Sequence, residues 1–179
     1  MANLCSFTMK IVGRRDNREK FIKALQQQGN IYMGRGATAY PAEETKEYCI
    51  LNGDCKWSVA SALINNAVSM RRTPEKWFFG NSIQTSMITF ITLIEASKIY
   101  NVEIEVFSEE PGCAFAEHYL IKEGNVIENE CVDYYEYYLG DFETKEETEK
   151  EYGIKIPDEV WEHEDYYRVG GFDQQDWSI

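Results

Sequence analysis

The chain has 179 residues, 44% of them hydrophobic, and a formal net charge of −13 at pH 7. This is enough apolar material for one domain, or one domain with an appended module, to fold around its own core. No apolar run approaches the ~20 residues of a membrane-spanning helix, and the first residues lack the pattern of a signal peptide, so we expect a cytoplasmic protein.

The charge is distributed unevenly along the chain. Residues 1–102 contain 13 Lys and Arg against 8 Asp and Glu, whereas residues 103–179 contain 5 against 23. A surface field of one sign attracts or repels charged macromolecules before any contact forms. The acidic part therefore cannot bind nucleic acid by neutralising phosphates, but it can occupy a protein surface that binds nucleic acid. The alternative is that the charge serves only solubility.

Local patterns in the first half predict strands and a helix. Apolar residues alternate along Leu4–Val12, which favours a strand, and an apolar stripe indicates a helix after it. Asn52-Gly53-Asp54 has the composition of a tight turn, so we expect a hairpin around it. Residues 30–48 and 73–82 are interpreted as loops, the first with at most one short strand. The helix after the first strand is predicted at 18–28, and the two strands of the hairpin are predicted at 48–51 and 56–63.

The second half contains the most apolar predicted helix, at residues 86–100, and such a helix needs a sheet to cover it. Residues 102–107 alternate, which directs apolar side chains to the core and Glu103 and Glu105 to solvent. Beyond residue 132, tyrosines mix with acidic residues, a composition that suits a protein interface. The other predicted elements are strands at 115–122 and 126–131 and helices at 144–152 and 158–163.

The order of these elements is strand, helix, strand, strand, helix, strand and then a hairpin, which is typical of the split βαβ arrangement. We therefore predict an α+β fold with a ferredoxin-like antiparallel sheet, extended by extra strands and covered by two helices. Residues 1–132 are expected to form this domain. Residues 133–179 are expected to form an acidic, tyrosine-rich helical extension that packs on the same domain.

The sequence offers little for catalysis. It has no Gly-rich phosphate loop, no G-x-S-x-G motif and only two histidines, so we expect no catalytic residues, metal or cofactor. Its five cysteines contain no C-x-x-C pair, which is typical of neither a disulfide framework nor a zinc site. The enzymatic alternative is a small hydrolase in which His118 lowers the pKa of Cys55 or Cys113.

Three stretches resemble the YubB-type ferredoxin-like domain proteins, which are small proteins of plasmids, integrative elements and phages. These stretches are residues 1–13, Gly53-Asp54-Cys55-Lys56-Trp57-Ser58, and residues 102–112 with Glu117-His118-Tyr119. The resemblance covers roughly residues 1–130. The resemblance implies a ferredoxin-like fold, a gene carried by a mobile genetic element, and a bacterial host cell. It implies no reaction, because the family offers no catalytic residues to carry over.

Some small acidic proteins of mobile elements are type II anti-CRISPR proteins, which inhibit Cas9, and this chain resembles them in size and charge. Cas9 needs positively charged channels for guide RNA and DNA. An acidic surface can therefore bind Cas9 or its guide RNA complex and block the binding of guide RNA or DNA. Such mimicry weakens steeply with salt. The predicted partner-binding residues are Glu103, Glu105, Glu109, Glu110, Glu128, Glu130, Glu143, Glu146 and Glu147.

A second charged group lies at the first predicted helix and is basic. Its members are expected either to contact guide RNA or an acidic partner, or to form an ordinary solvated helix face. A non-enzymatic accessory or regulatory protein of a mobile element, with another protein partner, is the alternative to the Cas9 inhibitor. The basic residues are Arg14, Arg15, Arg18, Lys20 and Lys23.

Overall fold

A computed structural model describes residues 4–26, 31, 33, 37–64, 90–172 and 176–179. It shows an α+β protein with one seven-stranded antiparallel sheet. None of the helices in these ranges combines the length and hydropathy that a membrane span requires. The elements are β1 (Leu4–Val12), α1 (Arg15–Leu25), β2 (Thr38–Glu44), β3 (Tyr48–Lys56), a π-helical turn (Ala60–Ile64), α2 (Leu93–Tyr100), β4 (Glu103–Glu110), β5 (Phe115–Lys122), β6 (Asn125–Tyr138), a 3-10 turn (Leu139–Asp141), α3 (Lys145–Tyr152), α4 (Asp158–His163) and β7 (Tyr166–Gly170).

The strands follow the order β2-β3-β1-β4-β5-β6-β7. The first strand of the chain thus lies between β3 and β4, and the connections through α1 and α2 each pass over one strand. From β4 onward each strand pairs with the next one in the chain. The predicted α+β class and antiparallel sheet are confirmed, and the sheet is larger than predicted.

The two faces of the sheet have different covers. One face, here the helix face, carries Phe7, Met9 and Ile11, which are at most 3% exposed and form one core with residues of α1 and α2. The other face, here the second face, carries Ser6, Thr8 and Lys10 of β1. Side chains alternate between the faces of a strand, so this core explains the apolar alternation of β1.

The predicted hairpin at Asn52-Gly53-Asp54 was wrong. Residues 48–56 form the single strand β3, and the chain turns before it, at residues 45–47. Gly53 serves close packing instead of a turn, because a Cβ atom there would lie 2.3 Å from the Thr38 carbonyl oxygen and 2.6 Å from the Phe7 ring. The strand predicted at 56–63 was also wrong, since a helical turn occupies Ala60–Ile64.

Helix α2 has the clearest boundaries. Thr92 accepts a hydrogen bond from the Glu95 backbone, and the Glu95 side chain accepts one from the Thr92 backbone, which completes a capping box. Asn101 ends the helix in the left-handed conformation, with φ of 49°. Residues 90–92, predicted as part of this helix, are not helical, whereas its predicted start at 86–89 and the predicted loop at 73–82 lie outside the described residues. Helix α1 begins three residues before its predicted start.

Strand β6 is longer than predicted and carries the chain past the expected domain boundary. It has 14 residues, and the boundary at 132/133 falls inside it. Arg168 of β7 donates a hydrogen bond to Glu109 of β4 at 2.6 Å. Because β4 and β7 are separated by two strands in the sheet order, this contact shows that the β6–β7 pair folds back over the second face.

Candidate functional site

Two of the nine glutamates predicted for partner binding are buried. Glu105 is 0% exposed and Glu110 is 3% exposed, so the prediction that they lie at a surface was wrong. Glu105 points to the second face as expected from the alternation of β4. The alternation of a strand predicts which face a side chain takes, but not whether another segment covers that face. At Glu105 the second face is covered.

The cover over Glu105 comes from residues 176–179. The backbone N–H groups of Ser178 and Ile179 donate to its carboxylate at 2.8 and 3.1 Å. His118 of β5 lies 3.0 Å away through Nε2, which is the donor because a carboxylate only accepts. Glu105 is therefore bound by three donors of the protein itself and is not available to a partner.

Aromatic rings complete this cover. The Phe107 and His118 rings are stacked with their centroids 4.2 Å apart. Trp177 and Phe172 pack against Phe107 at 5.2 and 5.9 Å. Contacts of this kind contribute beyond the area that they bury. The second face thus has a small core of its own around the Glu105 carboxylate.

Two more of the predicted glutamates are occupied by ion pairs within the protein. Glu103 lies 3.0 Å from Lys122, and Glu109 lies 2.6 Å from Arg168. The hydrogen bond from Arg168 is short and charge-assisted, so Glu109 is positioned more firmly than a free surface side chain. Neither residue is a strong candidate for binding another protein's cation.

The other five predicted glutamates are exposed, and we call them the acidic surface residues. In the described ranges, none of them has a cationic nitrogen within 4.0 Å. Within the described part of the chain, they therefore form no ion pair at contact distance. The five are Glu128 and Glu130 on β6 and Glu143, Glu146 and Glu147 at α3.

Two of the three lysines near α3, Lys145 and Lys155, bind other carboxylates, and Lys150 forms no ion pair within 4.0 Å in the described part of the chain. Lys155 lies 2.7 Å from Glu149, and Lys145 pairs with Glu149 and Asp158. The hydrogen bond from Lys155 and one from the Ile156 backbone lower the pKa of Glu149. Including the pairs at Glu103 and Glu109, four of the five Lys and Arg after residue 102 have internal partners.

Exposed tyrosines accompany the acidic surface residues. Tyr135, Tyr138 and Tyr166 are 57, 46 and 59% exposed. Tyr138 and Tyr166 face each other across β6 and β7 with their rings 5.2 Å apart. Tyrosine gives a large contact area at low entropic cost and offers a hydroxyl at its edge, so this group is typical of an interface.

The predicted basic group is only partly at the surface. Arg18 is 1% exposed and donates to the backbone carbonyls of Gly13, Thr45 and Lys46, so the prediction that it contacts RNA or an acidic partner was wrong. Arg15 is exposed and pairs with Glu19 at 3.1 Å. The other three residues of the group, Arg14, Lys20 and Lys23, are exposed.

The geometry does not support the Cys–His nucleophile. Cys55 of β3 lies opposite Cys5 of β1 in the strand register, and both thiols are on the helix face. His118 lies on the second face, against Phe107 and Glu105. The sheet therefore separates Cys55 from the imidazole. Cys113 lies in the turn between β4 and β5, beyond the three register pairs that separate His118 from that turn.

A buried polar cluster on the helix face has no counterpart in the sequence predictions. Glu117 of β5 is 3% exposed and accepts hydrogen bonds from the Val59 backbone at 2.8 Å, Ser108 at 3.1 Å and Tyr119 at 3.2 Å. Burial and the Glu117 charge raise the pKa of Tyr119. The only sequence signal is a glutamate at an inward position of β5. Its bonds to backbone N–H groups fix the start of the helical turn after β3.

Cysteine accessibility gives a direct check of this arrangement. Cys113 and Cys131 are exposed, whereas Cys5, Cys49 and Cys55 are buried. We expect two iodoacetamide adducts per native chain and five in urea, counted by intact-protein mass spectrometry. Burial and the charges of Glu117 and Asp133 raise the pKa of Cys131, so its adduct should form slowly. A third adduct before unfolding would contradict the assigned burial.

No family model, curated protein or solved structure matches this chain. Within the described residues, no group of three or more His, Cys, Asp or Glu is arranged to hold a metal ion. The candidate site is thus a set of exposed residues: the glutamates of β6 and of the α3 region, and the tyrosines of β6 and β7.

Proposed function

We propose that this protein is a non-catalytic inhibitor that binds a nucleic-acid-handling protein in the bacterial cytoplasm. Cas9 or its guide RNA complex is the specific partner, and the protein belongs to a mobile genetic element. The observation that carries the proposal is the set of five exposed glutamates without internal counter-ions. In the described part of the chain they form no ion pair, although four of the five Lys and Arg after residue 102 do so with other carboxylates.

The physical basis is competition for a basic channel. Cas9 holds its guide RNA and target DNA in positively charged grooves through contacts with their backbones. Carboxylates on a folded surface can bind the same Lys and Arg side chains and release the same counter-ions. Binding should therefore weaken steeply as salt rises from about 50 to 200 mM. The exposed tyrosines of β6 and β7 would supply the apolar contact that charge alone lacks.

We also propose that the first four strands form a ferredoxin-like unit, as in the YubB-type proteins. The support is the element order β1-α1-β2-β3-α2-β4 together with the strand order β2-β3-β1-β4. In that unit each helix follows a strand and crosses over a neighbouring strand, which is the split βαβ arrangement. Strands β5, β6 and β7 then extend the unit, and β6 and the α3 region carry the acidic surface residues.

The test is a charge-neutralised variant with a matched control. We expect Glu128→Gln, Glu130→Gln, Glu146→Gln and Glu147→Gln together to abolish inhibition of Cas9 cleavage and co-elution with Cas9 at low salt. The control changes four other exposed glutamates, Glu19, Glu43, Glu44 and Glu47, to glutamine. Both variants lose four negative charges. They differ in the position of the charge and in its pairing, because Glu19 and Glu44 pair with Arg15 and Glu43 accepts a hydrogen bond from Tyr48.

The results separate the parts of the proposal. Equal loss of binding in both variants would mean that net charge, and not the acidic surface, attracts Cas9. Absence of binding by the unaltered protein to several Cas9 orthologues would overturn the Cas9 assignment. Binding to another nucleic-acid-handling protein, lost only in the first variant, would keep the acidic surface and replace Cas9 as its partner.

A further inference from the structure

A pocket of about 200 Å³ lies on the second face, where β2, β3, β1 and β4 meet. Two register rows form its floor. Thr38, Asp54, Ser6 and Glu109 are neighbours in one row, and Tyr40, Asn52 and Thr8 are neighbours in the next. Phe7 and Gly53 line the pocket together with six residues that have polar side chains: Ser6, Thr8, Tyr40, Asn52, Asp54 and Glu109.

Asp54 is the distinctive group of this pocket. Its two carboxylate oxygens accept hydrogen bonds from Ser6 at 2.8 Å and Thr38 at 3.2 Å, so the carboxylate is held in one orientation. In the described part of the chain no cationic nitrogen lies within 4.0 Å of it. Glu109, across the pocket, differs because Arg168 neutralises it. The pocket thus keeps one fixed negative charge without a counter-ion.

An aromatic ring stands beside that charge. Tyr40 of the edge strand β2 lines the pocket and is 56% exposed. A tyrosine face attracts a cation through its quadrupole, and a carboxylate binds guanidinium groups through charge-assisted hydrogen bonds. The hydroxyls of Ser6 and Thr8 and the Asn52 side chain can accept the remaining N–H groups of such a ligand.

We propose that this pocket binds an organic cation, a guanidinium or ammonium group, with Asp54 as its counter-ion and Tyr40 as its aromatic wall. The donor set does not suit a metal ion, because Arg168 already pairs with Glu109 and the described residues contain no group of three or more His, Cys, Asp or Glu arranged to hold one. A neutral polyol would leave the charge of Asp54 uncompensated.

Agmatine, which carries both a guanidinium and an ammonium group, is the probe. We expect saturable binding at one site in calorimetry, with amide shifts in NMR spectra at Ser6, Tyr40 and Asp54. Asp54→Asn keeps an acceptor for the hydroxyls but removes the charge, and should weaken binding about tenfold or more. Tyr40→Leu should weaken it about two- to fivefold. Asp16→Asn removes an exposed charge elsewhere, on α1, and should leave binding unchanged.

The same pocket chemistry fits a free small cation or an arginine side chain of a partner. A blocked Gly-Arg-Gly peptide is therefore the second arm. Binding of agmatine supports a small-molecule site, and binding of the peptide alone supports a partner's arginine. Equal affinity of the Asp54→Asn variant, binding of neither probe, or binding of a methyl glucoside in their place would overturn the proposal. The charge-neutralised variant with glutamine at positions 128, 130, 146 and 147 should bind agmatine normally, so this test is independent of the proposed function.

Discussion

Replacement of Arg18 by methionine should lower the free energy of unfolding by about 3 kcal/mol, because a buried charge that makes several hydrogen bonds is lost. Its guanidinium donates to Gly13 and Lys46 at 2.8 and 3.1 Å and to Thr45 at 2.8 Å. These bonds tie the start of α1 to the turn between β2 and β3. Methionine fills similar space but leaves three carbonyl groups without this donor.

Urea unfolding measures the effect, and the melting temperature should fall by about 6 to 12 °C. Arg15→Met is the matched control. Arg15 lies on the same helix with a side chain that is 70% exposed, and its ion pairs are at the surface. Such pairs contribute about 0 to 1 kcal/mol, so the control should change little. Similar stability of both variants would show that Arg18 does not hold the turn.

The second large effect is expected at Glu105. Glu105→Gln should detach residues 176–179 from the second face and destabilise the protein by about 2 kcal/mol. The backbone N–H groups of Ser178 and Ile179 donate hydrogen bonds to the carboxylate. The Nε2 atom of His118 donates a third. A glutamine side chain has one acceptor oxygen and presents its own N–H groups, which would face these donors.

Hydrogen exchange at residues 176–179 and the fluorescence of Trp177 report the detachment. Both should change in Glu105→Gln and not in Glu103→Gln. Glu103 lies on the same strand and the same face but is partly exposed and pairs with Lys122 at 3.0 Å. Unchanged protection of residues 176–179 in Glu105→Gln would contradict the assigned contacts.

This second prediction also limits how binding data can be interpreted. A variant at Glu105 or Glu110 that loses partner binding would do so through the fold, because both carboxylates are buried. A loss of binding at Glu146 or Glu147 would report on the surface itself, since both are exposed on α3. The two kinds of glutamate cannot be told apart from the sequence, where all have acidic neighbours.

Local sequence patterns predicted the bounds of several elements. Strands Leu4–Val12 and Phe115–Lys122 have their predicted bounds, and so does helix Asp158–His163. The predicted end of α2 at residue 100 is confirmed, because a helix end such as the left-handed Asn101 depends on a few consecutive residues. Five of the nine predicted surface glutamates are exposed without a counter-ion.

Predictions failed where distant contacts compete with local preference. Asn52-Gly53-Asp54 favours a turn, but Gly53 lies inside β3 because neighbouring strands approach it too closely for a side chain. Arg18 fits the pattern of an exposed basic helix, yet three carbonyls from outside the helix bind it. Glu117 gave no signal as a helix anchor because its backbone partner, Val59, lies 58 residues away.

The sequence by itself determined the class of fold, the direction of side chains along β1 and β4, and the concentration of negative charge after residue 102. Only the tertiary structure decided which carboxylates remain at the surface. Glu105 is buried by residues 73 and 74 positions away in the chain, and Glu109 is neutralised by Arg168 at a separation of 59. Charge is a property of each residue, whereas burial and pairing depend on which distant segments the fold brings over it.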